Sequence, residues 1–482
     1  MRIHARHQSG TPAESLSGRQ CKRYTKPQIT AMQVFYSMNE EYNAQGALLP
    51  PFHPERLQVH EEIHARFYQA LHPPVRLSWL ALLSPNATLA QEREQVAALC
   101  RHFGESPELP EENFVCRNLG AIRLRWERHG EFSSWTFFID EERAGVGHLF
   151  ADPPIQRLPT EWLRQLPGEV IAAIHLEMLA REEAEPSLEE LGQWFDNSSL
   201  VGSEIAGGDA RAWGDFRIHE DGFSRFLIKD IDLTQRQAGR AVQRLLDIET
   251  YRLLALLAWP LARQVMGQLH GLEEELKRVS DELATLPAHA DQPEQQQQLL
   301  ASLSHLAAGV ERLVNHSSTR FHASRAYAAL VERRFEQMRI VRIHGLQTFA
   351  GFINRRLDPA MRTCASVAER LESLAGRISR TSDLLRTRVD VALERQNRDL
   401  LRSMNRRARL QLRLQETVEG LSVVVISYYL TSLLAYLLKG FEQQVGLPVA
   451  ADVAIAASVP AVVVGVWLAI RTLRNRVMRK EG

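Results

Sequence analysis

The chain has 482 residues, more than a single domain usually holds, and 45% of them are apolar, so two or three folding units with a sizeable core are expected. Its 58 lysines and arginines balance 58 aspartates and glutamates, which argues against nucleic acid as the main partner. Cys21, Cys100, Cys116 and Cys364 form no Cys-x-x-Cys pair. They are poor material for a zinc site or a disulfide framework, and they suit a reducing compartment.

Residues 1–51 read as a disordered extension. Before Met38 stand Arg2, Arg6, Arg19, Lys22, Arg23 and Lys26, with Glu14 as the lone acid. No apolar stretch accompanies them, so they do not make a secretory signal. Their composition also suits a transit-like presequence; the plainer expectation is an extension with Met38 as the true start.

Residues 52–232 read as a mixed α/β soluble domain. Pro54 to Ala70 is expected to be a helix, with Leu57, Ile63 and Phe67 among its apolar positions. Val75 to Leu83 is an apolar run of strand length. Ile122 to Trp126 and Phe132 to Ile139 are expected to pair as a hairpin around Arg128-His129-Gly130. Val170 to Met178 is a further strand. Ala210 to Ile218 and Phe223 to Ile228 flank His219-Glu220-Asp221-Gly222, whose Asp-Gly pair signals a turn. Strands interspersed with helices give an α/β or α+β domain, and the chain as a whole is expected to be α+β.

From Gln235 the composition turns to alanine, leucine, arginine and glutamate, and 233–358 reads as all-helical. Pro260, the Pro287–Pro293 stretch and Pro359 punctuate it. Gln295 to Gln298 is a short low-complexity run that suits a solvated helix start. No proline follows Pro359 until Pro448. Within that stretch Val367, Leu371, Leu374, Ile378, Thr381 and Leu385 alternate steps of four and three, a short heptad seam. A helix from Ala360 to Leu438 would hold about 79 residues and span about 120 Å. Its part at 359–420 reads as a long stalk running into a membrane.

Two uncharged apolar segments follow, Leu421 to Leu438 and Val453 to Ile470, each about 18 residues and so of spanning length. Together they make a two-helix anchor at 421–470. Tyr436 and Trp467 lie near span ends, where amphipathic rings favour the interface. Arg402, Arg406, Arg407, Arg409 and Arg413 precede the first span. Arg471, Arg474, Arg476, Arg479 and Lys480 follow the second, in a basic tail at 471–482. The connector holds Lys439 against Glu442 and Asp452. Positive charge resists translocation, so the soluble region and both termini are expected to be cytoplasmic and the connector outside. The same arginines could also meet anionic lipid, and the two roles are compatible. Ala457, Ala461, Gly465 and Ala469 recur every four residues, a face that lets helices approach closely in lipid. Tyr428, Tyr429, Thr431 and Ser432 give the first span polar tips that could line a pore or bond between helices.

Leu384 to Gly440, HEEIHARF from His60, LRWERHGEFSSWTF from Leu124, GRAVQRLLDIETYRLLALL from Gly239 and RRLDPAMRTCASVAERL from Arg355 resemble a bacterial family of uncharacterised membrane-anchored proteins, domain of unknown function 3422. The similarity covers nearly everything from residue 52. It departs at Phe67, where the family carries proline. It implies an inner-membrane, bacterial protein of this architecture and supplies no activity. In arrangement the chain is also similar to CorA-type magnesium channels. Those carry Gly-Met-Asn just after the first span, where this chain reads Leu438-Lys439-Gly440-Phe441. A lysine repeated around a ring would repel divalent cations, so magnesium uptake is not expected.

His60-Glu61-Glu62-Ile63-His64 matches His-Glu-x-x-His, in which two histidines one helical turn apart share a zinc and the glutamate acts as general base. No downstream residue suggests a third ligand, and the pair is expected to be structural. Gly145-Val146-Gly147 is too short for a phosphate loop, and no nucleophile elbow occurs. Neither span contains an ionisable residue, which argues against proton-coupled transport. The expected protein is therefore not an enzyme and needs no cofactor. It is a multi-pass scaffold or regulatory protein, partnered by the lipid bilayer and by copies of itself through stalk and membrane helices. A CorA-like channel and a zinc peptidase are the alternatives.

Overall fold

The computed structural model describes residues 53, 55–56, 59–60, 69–110, 113–140, 149–285, 293–445 and 451–478. The expected helix at Pro54–Ala70 and the Gly145-Val146-Gly147 stretch lie largely or wholly outside them. The chain divides into two compact units. The first joins Met1–Leu276 to His305–Arg377, and the second joins Lys277–Ser304 to Ile378–Gly482.

The first unit is built on one nine-stranded sheet. In chain order its early elements are β1 (Val75–Leu83), α1 (Leu89–His102), β2 (Phe114–Leu119), β3 (Ile122–Arg128) and β4 (Phe132–Ile139). Then come α2 (Thr160–Arg164), β5 (Glu169–Leu179), α3 (Leu188–Trp194), β6 (Val201–Ile205), β7 (Ala210–Gly214) and β8 (Ser224–Asp230). The strand order is β2-β3-β4-β1-β5-β8-β7-β6-β9, with β9 a short strand at Val341–Arg342. Every ladder is antiparallel except β5 with β8. A parallel pair needs a crossover, and here α3, β6 and β7 intervene between the two strands.

β1 is a near-continuous apolar run because both of its faces are covered. Alternate side chains point to opposite sides of a strand. Leu77, Trp79 and Ala81 enter one core, while Leu80 and Leu82 enter the other. The second core also takes Trp126, Trp135, Phe137 and, from α1, Val96 and Leu99. The first core is closed by helices. α4 (Gln235–Leu256) opens with a capping box in which Thr234 accepts from the Gln237 N–H and the Gln237 side chain accepts from the Thr234 N–H. It lays Ala238, Ala241, Val242, Leu245 and Leu246 on the sheet. α5 (Ala258–Thr285) and α6 (Pro293–Met338) follow, and Val331, Phe335 and Met338 of α6 join the same core. The last contributions are Phe349, Ile353 and Leu357, from the start of α7 (Phe349–Val445).

α7 therefore begins before Pro359, which lies inside it, and not after it as the punctuation suggested. A proline there lacks one helical hydrogen bond, and the core contacts of Phe349, Ile353 and Leu357 outweigh that loss.

The heptad seam of α7 is buried within the chain. In the first unit Val367, Leu371 and Leu374 are buried, and Arg370 bonds Glu273 of α5 at 2.6 Å. In the second unit Ile378 and Leu385 are buried along with Val279, Leu283, Leu299 and Leu303. There Arg388 Nη1 donates to the Leu283 carbonyl at 2.8 Å. Past Leu385 the helix changes character. Leu393, Leu400, Met404, Leu414 and Val418 are each more than half exposed. The last helix is α8 (Ala451–Met478).

Candidate membrane anchor

Two helices are long and apolar enough to cross a membrane. An apolar helix of this length could equally be the centre of a soluble core, where it would be mostly buried. Here only 6% of either apolar window is buried. Val424, Tyr429 and Leu433 on the first span, and Val464, Trp467 and Leu468 on the second, are exposed large side chains. Contiguous apolar surface on this scale marks contact with a membrane or another protein.

Each span also carries a less exposed stripe at helical spacing. On the first it runs through Val423, Ser427, Thr431 and Leu434, and on the second through Ile455, Ser458, Val462, Val466 and Ile470. A pair of such stripes is what two helices lying side by side produce. Ala457, Ala461, Gly465 and Ala469 do not belong to it. All four are exposed, and a methyl added at Gly465 would meet nothing within 4 Å. At the cytoplasm-facing end expected for α8, the Arg471 guanidinium lies 4.9 Å from the Trp467 ring centre, a cation–π pair. Arg474 and Arg476 follow on the last turns of α8.

The basic flank of the first span is more ordered than the sequence reading made it. Arg395, Arg398, Arg402, Arg406, Arg409 and Arg413 step by three and four along continuous helix, so they fall on one face. Leu393, Leu400, Met404, Leu414 and Val418 occupy the opposite side. Arg407 lies outside this ladder, near the apolar side. Exposed pairs join Arg398 to Glu394 at 3.1 Å and Arg402 to Asp399 at 3.4 Å, and such pairs add little stability. Arg406, Arg407, Arg409 and Arg413 have no ion-pair partner among the described residues.

Of the His-Glu-x-x-His motif only His60 is described, as an exposed helical residue; Glu61 and His64 lie outside the described residues. No group of three metal-ligating side chains occurs among the described residues. Burial raises the thiol pKa of both Cys100 and Cys364, which leaves them poor nucleophiles.

One polar cluster escaped the sequence reading because its members are far apart in the chain. Ser78 Oγ lies 3.0 Å from His175 Nδ1, and the same hydroxyl accepts from the Ile155 N–H at 3.2 Å. Phe223 stacks on the imidazole at 3.9 Å between centres. A hydroxyl beside an imidazole suggests a nucleophile and its base. Ser78, however, is fully buried and held by two partners, so this is a packed pair and not an open site. Burial drops the His175 pKa to about 4.

A family model described as a protein of unknown function, DUF3422, matches residues 51–477. The chain belongs to the DUF3422 family. The match takes in both apolar helices, so they lie within the region shared with the DUF3422 family. No curated protein matches the chain. Among solved structures, one described as the full-length CmaX protein is similar at 15% identity, covering 63% of this chain and 89% of that one, with a TM-score of 0.20. A likeness at that level carries no argument about fold or function, and the similarity to CorA-type channels rests on the sequence alone.

Proposed function

We propose that this DUF3422 protein is a multi-pass scaffold or regulatory protein of the bacterial inner membrane, without catalytic activity, and that it works as a homo-oligomer with its soluble region and both termini in the cytoplasm. The observation that carries the reading is the pair of exposed apolar helices with arginine on both outer flanks. Reporter fusions test the topology. A fusion after Gly482 is expected to read cytoplasmic, and one within Gln443–Gly446 to read external. A C-terminus found outside would end the two-span arrangement.

Two features support self-association. The seam through Leu371 and Leu385 is consumed inside the chain, so it is not the contact between copies. The apolar face from Leu393 to Val418 is exposed, and an isolated amphipathic helix gains most of its stability from packing that face. The second feature is the small-residue face of α8. Gly465→Leu is expected to weaken assembly in detergent, and Val464→Leu to leave it unchanged. Identical elution of the two variants in native size analysis would remove that face from the contact.

A further inference from the structure

α4 carries Gln237, Arg240 and Arg244 at spacings of three and four, so they share one face of the helix. Facing them is the end of α6, with Gln337 and then Arg339, which follows the last helical residue in a left-handed conformation at φ 47°. Ile205 and Ala206, where β6 enters its turn, complete the wall of a cavity of about 220 Å³. Among the described residues, three guanidinium groups line this space and no carboxylate does. Asp209, which accepts from Gln237 Nε2 at 3.4 Å, is not part of the lining.

Part of this arrangement serves the fold. Arg244 Nη1 donates to the Gln337 carbonyl at 2.8 Å, and Arg339 Nη2 donates to the Ala206 carbonyl. Those bonds satisfy carbonyls that a helix end or a turn would otherwise leave bare. Arg339 uses one donor in this way, and a guanidinium has five. Arg240 makes no such bond among the described residues. Capping therefore explains neither its presence nor the absence of an acid. Gly207, at φ 84°, keeps the turn open for Arg339, since a methyl there would come within 3.3 Å of its Cζ. Of the four non-glycine residues with positive φ among those described, Ala206 and Arg339 both border this cavity. Strained backbone of this kind gathers at ligand sites.

Arg240 and Arg339 bring like charge to one small cavity with no acid among its described lining residues, and an anion relieves their repulsion. Guanidinium forks match the oxygens of a phosphoryl group, two N–H to two O. At about 220 Å³ the space is smaller than a site for a drug-sized ligand, so it suits a phosphoryl group and little more. We propose that this arginine cavity binds a phosphoryl group, as free phosphate or as the head of a small phosphate ester.

The test uses the full-length protein in detergent, titrated calorimetrically with inorganic phosphate and separately with glycerol phosphate, in chloride of matched ionic strength. Saturable binding on the order of 1 mM or tighter is expected. Arg240→Gln and Arg339→Gln are each expected to weaken it by ten- to a hundredfold, on the order of one charge-assisted hydrogen bond. Arg236→Gln, an exposed change on the same helix outside the lining, should leave it unchanged. Unfolding temperatures without ligand show whether each variant is folded, and Arg240 is the primary change because its removal uncaps no carbonyl. Tighter binding of the ester identifies an ester as the ligand, and equal or weaker binding identifies free phosphate. Absence of binding by either probe, or undiminished binding in both folded arginine variants, overturns the proposal.

Discussion

Gly239→Ala is expected to destabilise the first unit by about 3 kcal/mol or more, against the usual direction of that substitution. In a helix interior, alanine normally gains about 0.5–1 kcal/mol over glycine, because glycine loses more backbone freedom on folding. Position 239 lies in the second turn of α4, among Ala238, Ala241 and Val242 of the core. An ideal Cβ there would stand 1.7 Å from the backbone oxygen of Gln69. No rotamer change relieves such an overlap, because both partners are main chain. The segment at Gln69 is also tied down, since the Leu71 N–H donates to the Gln235 carbonyl at 3.0 Å. Either α4 must lift from the sheet or the entry to β1 must move. Gly267→Ala on α5 is the control, because its Cβ would meet nothing within 4 Å, and it should gain the ordinary few tenths to 1 kcal/mol. Urea midpoints of the two variants check this. A Gly239→Ala midpoint at or above that of the parent would show that α4 does not seat against Gln69.

The second large effect is a loss of stability in mild acid through His175. Unfolded, its imidazole titrates near 6.5. Folded, burial holds it at about 4, with Asp221 opposing and Arg225 and His219 reinforcing the depression. The native state therefore keeps the ring neutral while the unfolded chain takes up a proton. That stability is fully present above pH 6.5, falls as pH drops from 6.5 to about 4, and is gone below that. The full loss is about 3 kcal/mol. Protonation would also fix Nδ1 as a donor, so the Ser78 hydroxyl could then only accept from it. In His175→Gln the overall stability is lower, but the slope between pH 6.5 and 4.5 should be much shallower. Parallel curves for parent and variant over that window would place the acid sensitivity elsewhere.

Local signals were legible where local physics decides. Val75–Leu83 was visible as a strand because both of its faces are apolar. The β3–β4 hairpin was visible through alternation on either side of His129-Gly130, and it forms with Trp126 opposite Trp135. The two apolar helices were visible because each carries about 18 residues without a charge, a length that can cross a membrane. β2, FVCRNL, and β6, VGSEI, escaped because their cues are weak, a half-polar edge in one and Gly202-Ser203 in the other. Gly202 has a long-range cause: a side chain there would strike Trp213 and Leu346, both within 2.7 Å. β9 is two residues long and has no periodicity to read. The spacing marks Leu371 and Leu385 as a heptad seam and both are buried, but spacing cannot say whether the partner is another chain or the same one. The arginine cavity joins positions 205, 240 and 339, a juxtaposition that only the folded sheet creates.

The placement of β9 fixes an order of events during synthesis. When residue 232 has emerged, eight of the nine strands exist, yet the face carrying Leu77, Ile174 and Phe226 is still bare. Its cover arrives from Ala238 through Leu357, so any fragment cut at the end of β8 would expose a wide apolar surface and tend to aggregate. Leu357 nevertheless precedes Leu421. The nascent chain can thus finish its sheet and bury it before the first of the two exposed apolar helices appears, so, if these enter a membrane as proposed, the cargo they anchor is already folded.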